Sequence, residues 1–487
     1  MFMVKLTFFG GVNEIGGNKI LLEDSGTKIF LDFGMSFSRY GMFFSEFLQP
    51  RKYNGLGDFF EFGLLPDLKG LYRLDYIKHM GRKEEEKEID AVFLSHAHAD
   101  HSAFIHHLRE DIPIYCSKPT YCILKALNDT SSGVFNEFTE IKESFQIYIN
   151  KKGVLGRKNS RNNPEIKKDR LYRLFEFGKK FKVDGVEVLP FNVDHSLPGA
   201  TGFIIYTSSG IIVYTGDFRF HGRRGEKTVE FMEACSREKP DVLIIEGTRI
   251  EEKENKKEED VEIGVANYAS ENGLTVCNWP VRDIDRMMSF YKAAEKTGKR
   301  LVINFKQFYL LNLLKDCDDV EIPNIKEVEK FATRKGWGLI GKDYEKKLIL
   351  EDYEKWEREF LDESICYKDL MEMQEEYLFF CSNFDLKDLI DIKPKLGSVY
   401  IKSVCEPFDP ETEIDWKRIK NWIDHFSLDL HKIHASGHAS GPDLRMFIEN
   451  VKPKISIPIH TEMAKLYKKI LGEDVKILNQ GDTFEVS

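Results

Sequence analysis

The stretch Ser95-His96-Ala97-His98-Ala99-Asp100-His101 constrains this chain more than any other. Three histidines and an aspartate fall together, although histidine makes up only 13 of 487 residues. Just before them runs Ala91-Val92-Phe93-Leu94, apolar and partly β-branched, which predicts a buried strand. A polar cluster at the end of such a strand sits at a sheet edge, on a tight turn. His96 and His98 are two apart, so on an extended segment both side chains face one way. Asp100 and His101 open the next element and can address a second point. This layout suits two adjacent metal ions drawing nitrogen and oxygen ligands from one short, rigid segment.

The same device recurs along the chain. Lys28 to Leu31 leads into Asp32, Val186 to Phe191 is followed by His195, and Ile211 to Thr215 runs into Gly216-Asp217. Asp241 to Ile245 ends at Glu246, and Ile455 to Ile459 ends at His460. Each is an apolar, strand-like run that delivers one polar residue at its end. Ligands collected from several strand ends are held rigidly by the sheet. Asp32 either caps its own turn or accepts a hydrogen bond from a ligand histidine and so fixes its orientation.

Between these landmarks the pattern changes. Residues 4–9, 18–23 and 28–32 predict a meander with glycine-rich turns. Residues 35–88 lose periodicity and are rich in Phe, predicting short helices or a cover over the site around a small aromatic core. After the cluster, Ala103 to Leu108 predicts helical turns, 112–116 a strand and Pro119 to Leu127 a helix, an α/β rhythm. Residues 151–173 carry nine Lys and Arg, among them Arg161 and Arg170, and predict an exposed face or a phosphate-contacting loop. Glu251 to Asp260 lacks any apolar residue and predicts an exposed connection or helix start. Residues 272–277, 300–303, 377–381 and 399–401 predict strands and 283–297 a helix, whereas 317–376 predicts mostly helix. The composition shift places an inserted domain at 249–432, between 1–248 and a returning 433–487.

No apolar run reaches the ~18 residues a membrane span requires, and the N-terminus lacks the form of a signal peptide, so a cytoplasmic location is expected. Eight cysteines without a CxxC pair predict reduced, structural thiols. The net charge of −10 provides no global basic field, so any nucleic acid would be held by a local groove and by metal ions.

Taken as an ordered set, Asp32, His96-x-His98-x-Asp100-His101, His195, Asp217 and His460 resemble the motifs of the metallo-β-lactamase superfamily. Glu246, His438 within His434-Ala-Ser-Gly-His438, and Pro458-Ile-His460 resemble the marks of its β-CASP nuclease branch, nearest to ribonuclease J and its archaeal relatives. The resemblance implies an α/β fold, an αββα sandwich with an inserted α/β β-CASP domain. It implies a hydrolase with two Zn²⁺ per chain, Mn²⁺ being able to take the same ligands. His96, His98 and His195 would hold one ion; Asp100, His101 and His460 the other; Asp217 would bridge. His438 would be the general acid, Glu246 would orient a histidine, and Asp32 would support the ligands from behind. His434, Ser436 and Ser440 would contact a substrate phosphate, although Ser440 before Gly-Pro-Asp also reads as a helix cap.

The implied activity is a ribonuclease on single-stranded RNA, 5′→3′ exonucleolytic with endonuclease activity, in RNA processing or decay. The implied assembly is a homodimer. A DNA nuclease of the same fold and a non-catalytic RNA-binding scaffold are the alternatives. Glu246-Gly-Thr departs from the acidic-Ser-Thr form commoner in ribonuclease J, and the segments 35–88 and 128–180 are enlarged.

Overall fold

The structure is a computed structural model that describes residues 3–486 apart from 46, 132–134, 161–162, 339, 341–350, 407–409 and 473. Two sheets lie face to face. The first has the order Tyr172–Leu174, Ile114–Cys116, Ala91–Phe93, Thr27–Leu31, Lys19–Asp24, Val4–Gly10 and Thr483–Val486. The second runs Phe181–Val183, Val186–Asn192, Thr201–Thr207, Gly210–Tyr214, Val242–Ile245 and Ile455–Pro458. Alternation along Val4–Gly10 turns Val4, Leu6 and Phe8 inward. They meet Val186, Val188, Ile205, Ile212 and Ile244 of the facing sheet in one apolar layer.

Helices cover both outer faces. On the second sheet, Gly225–Glu238 and Gly441–Val451 pack Phe231 and Phe447 over Ile204, Val213, Leu243 and Ile245. On the first, Lys118–Thr130 and the aromatic segment 35–88 cover Leu21, Phe30 and Val92. The αββα sandwich expected from the sequence is thus present.

A third sheet is drawn entirely from residues 275–432. Its order is Ser364–Ile365, Glu329–Phe331, Arg300–Asn304, Tyr377–Phe380, Thr275–Asn278, Val399–Lys402 and Asp429–Lys432, with every pairing parallel. Thr275–Asn278, Tyr377–Phe380 and Val399–Lys402 are buried throughout, as strands covered on both faces must be. One face packs on its own helices; the other shares a core with Lys118–Thr130 of the sandwich.

Three sequence expectations need correction. Among the described residues of 317–376 helix is the minority. They contribute two short strands and the short helices Lys355–Arg358 and Tyr367–Glu372, with 339 and 341–350 outside the described residues. Charge density there imitates a helical surface, but no sustained apolar stripe accompanies it. Of the two readings of 251–260 the helix start holds, since Glu258 opens the helix Glu258–Tyr268, but Glu258 is fully buried between Arg219 and Arg286 rather than exposed. In the basic stretch, Arg170 is buried and donates to the carbonyls of His106, Leu108 and Glu137, tying loops together. Arg161 lies outside the described residues. In 35–88 the aromatics form a core, Phe44 and Phe59 being buried, while Phe47 is exposed.

Candidate metal centre

Six strand ends supply the site. Asp32 follows Thr27–Leu31, the 95–101 turn follows Ala91–Phe93, and His195 follows Val186–Asn192. Asp217, Glu246 and His460 follow Gly210–Tyr214, Val242–Ile245 and Ile455–Pro458. Asp32 and His460 adopt left-handed backbone conformations, φ +56° and +51°. Such a conformation is uncommon outside glycine, and the chain turns sharply there to aim each side chain inward. Gly34 is required by closeness: a Cβ there would lie 1.7 Å from the Asp100 carbonyl oxygen.

All seven residues expected to ligate metal converge. The Nδ1 atom of His98 lies 3.0 Å from His96 Nε2 and 3.1 Å from His195 Nε2. Asp217 Oδ2 is 3.6 Å from His96 Nε2 and 4.0 Å from His195 Nε2. The same oxygen is 3.2 Å from His101 Nε2 and 3.6 Å from His460 Nε2. Asp100 Oδ2 lies 2.9 Å from His460 Nε2 and 3.9 Å from His101 Nε2. Two donor clusters therefore meet at one carboxylate, His96/His98/His195/Asp217 and Asp100/His101/His460.

The donor atoms fit cations. Four Nδ1–H groups are anchored from behind: His96 on Ser95 Oγ (3.0 Å), His101 on Asp32 Oδ2 (2.6 Å), His195 on the Gly437 carbonyl (2.6 Å) and His460 on Thr248 Oγ1 (2.8 Å). Anchoring that nitrogen leaves Nε2 bare and pointing into the site. His101 Nε2 and Asp217 Oδ1 are buried without a hydrogen-bond partner, a costly state that a bound ion relieves. Burial, aided by neighbouring imidazoles, drives His96 and His195 well below the usual imidazole range, and burial brings His98 to about 4, so all three are neutral donors. At His101 burial is outweighed by Asp217, Asp32 and Asp100, which hold it well above that range. The carboxylates thus create a demand for positive charge at the second cluster.

Asp32 does more than cap a turn. Its Oδ1 accepts from the Ser95 amide at 2.7 Å, and its Oδ2 accepts from His101 Nδ1, Ser95 Oγ and the Tyr214 hydroxyl. Glu246 accepts from His438 Nδ1 (Oε2, 3.0 Å) and from the Phe218 amide (Oε1, 2.8 Å). His438 lies 3.9 Å from Asp217 at the mouth of the site. Burial disfavours its cation, but Glu246 and Asp217 overcome this and raise it to about 9.

The three residues expected at a substrate phosphate are differently placed. His434 Nδ1 lies 3.1 Å from Arg286 Nη1 and 3.3 Å from the Ser403 carbonyl. Ser436 Oγ accepts from the His438 amide at 3.3 Å, and its carbonyl accepts from Arg219 and His221. Ser440 is buried at the N-cap position of Gly441–Val451; its amide and hydroxyl both donate to Asp443, and its hydroxyl accepts from Asn255. The capping alternative describes its geometry.

Sequence reasoning missed Ser95, Tyr214 and Thr248. Thr248 was legible in principle, standing two residues beyond Glu246. It also missed a buried ionic network behind the site. Asp285, on Ile284–Thr297 beside the parallel sheet, accepts from Arg219 (2.8 Å) and Arg224 (2.6 Å). Arg224 in turn donates to the His195 carbonyl at 2.8 Å, and Arg219 to the Ser436 carbonyl at 2.9 Å.

With this geometry in hand, similarity to known proteins is informative. Residues 66–150 match the family described as "Beta-lactamase superfamily domain", and residues 422–477 match "Zn-dependent metallo-hydrolase RNA specificity domain". Together with the full-length relatives below, these matches make the chain similar to the ribonuclease J-like branch of the metallo-β-lactamase superfamily. It is 22% identical to Ribonuclease J of Pyrococcus abyssi over 99% of this chain and 97% of that one. It is 21% identical to Ribonuclease J2 of Bacillus subtilis, covering 99% of this chain and 75% of that one. A crystal structure of a protein of unknown function from Enterococcus faecalis superposes over 99% of this chain and 100% of that one, with a TM-score of 0.70 at 24% identity. That likeness concerns the fold. Among the described residues no helix is long and apolar enough to cross a membrane.

Proposed function

We propose that this chain is a two-metal ribonuclease that hydrolyses phosphodiester bonds in single-stranded RNA, running 5′→3′ and also cutting internally. Zn²⁺ is the preferred ion and Mn²⁺ the substitute. The observation that carries the reading is the meeting of two nitrogen- and carboxylate-rich clusters at the single carboxylate of Asp217. His96, His98 and His195 would hold one ion, Asp100, His101 and His460 the other, with Asp217 shared. When bound, such a pair of cations supplies Lewis acidity towards phosphoryl oxygens and acidifies water.

The chain's own residues supply the rest. Asp32, Ser95, Thr248 and the Gly437 carbonyl fix the imidazole rings so that each turns its Nε2 into the site. His438, kept protonated by Glu246, stands at the rim with a proton for the departing ribose oxygen, which would otherwise leave as a strongly basic alkoxide. Glu246 is itself fixed by the Phe218 amide, so the His438 ring is aimed as well as charged. The unit built on the parallel sheet is joined to the sandwich behind the site through the Arg219–Asp285–Arg224 contacts, and on this reading it limits entry to an unpaired strand. A bound pair of cations would supply the local positive field by which a chain of net charge −10 handles a polyanion. Its setting is cytoplasmic RNA processing or decay, as a homodimer.

The test uses the full chain stripped of metal and reloaded with Zn²⁺ or Mn²⁺, on one sequence made as RNA and as DNA. Each is labelled at either end and carries a 5′-mono- or triphosphate. The reading expects metal-dependent loss of RNA, with mononucleotides released from the 5′ end. Preferential cleavage of the DNA would replace it by the DNA-nuclease reading. Binding without cleavage under both metals would leave only a scaffold.

A further inference from the structure

Outside the metal centre, the seam between the sandwich and the parallel-sheet unit holds an unexplained thiol pair. Cys122 lies on Lys118–Thr130, the helix covering the first sheet. Cys317 lies just past Phe305–Leu314, a helix of the other unit, on a turn closed by its amide donating to the Leu314 carbonyl. The two are 195 residues apart in sequence, yet their Sγ atoms are 3.9 Å apart. Both are buried with small residual exposure, 8% and 6%. The helices are further joined by the Tyr309 hydroxyl donating to Asp129 at 2.8 Å and by Lys118 donating to the Asp316 carbonyl.

We propose that Cys122 and Cys317 form a reversible redox site, closing to a disulfide that staples the two units together when small-molecule disulfides accumulate. The step balances as thiol–disulfide exchange. The Cys317 thiolate attacks one sulfur of a small disulfide such as oxidised glutathione, releasing one thiol. The Cys122 thiol then loses its proton and attacks the mixed disulfide, releasing the second. The pair gives up two electrons and two protons, and the oxidant becomes two thiols.

Chemistry at the seam assigns these roles. The sulfur contact with Cys122, together with the Lys118 ammonium, lowers the Cys317 pKa, while that of Cys122 is raised. The Cys122 thiol donates its proton to the Leu313 carbonyl at 3.4 Å, which keeps its sulfur facing the other helix. Bond formation requires the sulfurs to close from 3.9 Å to ~2.05 Å. Cys317 is on a turn beyond its helix, where a small backbone shift suffices. Cys116, Cys235, Cys277 and Cys381 are also buried free thiols, but the sulfur–sulfur contact of 3.9 Å is that of Cys122 with Cys317.

The experiment equilibrates the full metal-loaded chain in reduced and oxidised glutathione at graded ratios, quenches with an alkylating agent and maps peptides without reduction. The expected result is one linked peptide joining Cys122 to Cys317, reversed by excess reduced glutathione and absent from Cys122→Ser and Cys317→Ser. The oxidised protein melts several degrees higher, and amide exchange slows in both seam helices; neither shift occurs in Cys317→Ser. Retention of all eight free thiols, mixed glutathione adducts alone, or a linkage between other cysteines would overturn the proposal. None of these readouts depends on nuclease activity.

Discussion

Asp32→Asn tests the site from behind, without touching a proposed ligand. The left-handed backbone at residue 32 suits Asn as well as Asp, so the substitution acts through the side chain alone. The carboxylate gathers four donors: the Ser95 amide, the Ser95 hydroxyl, the Tyr214 hydroxyl and His101 Nδ1. An amide has one acceptor oxygen and an NH₂ group. If its oxygen keeps the Ser95 amide, the NH₂ faces the other three donors. Ser95 and Tyr214 can rotate their protons away, but the ring cannot. His101 must move its proton to Nε2, the atom that faces Asp217 at 3.2 Å and would otherwise hold an ion.

Supports of this kind are worth 10–100-fold in metal affinity, or about 1.4–2.7 kcal/mol. Each stranded buried group costs about 1–3 kcal/mol of stability on top. The expected outcome is therefore selective. Competition with a chromogenic chelator should show one ion bound as in the parent and the other weakened 10–100-fold. The metal-free protein should also melt at a lower temperature than the metal-free parent. Two ions held at parental affinity would refute the role given to Asp32, and equal weakening of both would refute the division into two clusters.

His438→Ala should leave metal content unchanged by elemental analysis while lowering kcat on RNA by 10²–10⁴-fold, the usual range for a lost general acid. Asp388→Asn addresses pH. Burial raises this carboxyl to about 6, and its Oδ1 accepts from Thr333 Oγ1 at 2.8 Å, a bond that Asn preserves. The folded parent binds the proton more tightly than the unfolded chain, so its stability falls as pH rises from about 4 to about 6 and then levels off. The variant should be about 1–3 kcal/mol more stable than the parent at pH 7–8 and equal to it near pH 4, as read from denaturant midpoints. Asp285→Asn should lower stability by about 2–4 kcal/mol, because Arg219 and Arg224 lose a buried charge partner. It should also loosen the His195 cluster in metal titrations; parental affinity there would disconnect the network from the site.

Much of this was legible because one rule repeats. A buried strand costs the chain its polar residues until the sheet ends, so a lone His or Asp after an apolar run marks an edge. Asp32, the 96–101 turn, His195, Asp217 and His460 all follow that rule, and the structure brings them together. The sandwich itself came from the resemblance to the metallo-β-lactamase superfamily; the alternation of Val4, Leu6 and Phe8 and the continuous run Val242–Ile245 agree with it. What escaped was set by partners distant in sequence. Glu258 looks like one more acid in a charged run, and only Arg219 and Arg286, 39 and 28 residues on either side, make it a buried anchor. Arg170 hid in a basic stretch because carbonyl acceptors have no signature in side-chain order. Ser95 and Tyr214 were obscured by ordinary positions in or beside strands.

The buried ionic network changes what the parallel-sheet unit means for the site. A mobile cover would meet the sandwich through an exposed, wettable surface. Instead Arg219 and Arg286 are fully buried and share Glu258, while Asp285 pairs with both Arg219 and Arg224. Separating the units would strand several desolvated charges at once, and removing one partner from such a set costs far more than an exposed pair is worth. The same arginines end on backbone carbonyls of His195, Ala435 and Ser436, in the two loops that carry one proposed ligand and the proposed acid. The posture of those loops is therefore fixed by Glu258 and Asp285 from the other unit. Any motion that admits a strand of RNA must leave this network intact, and the freedom for entry has to lie elsewhere along the seam.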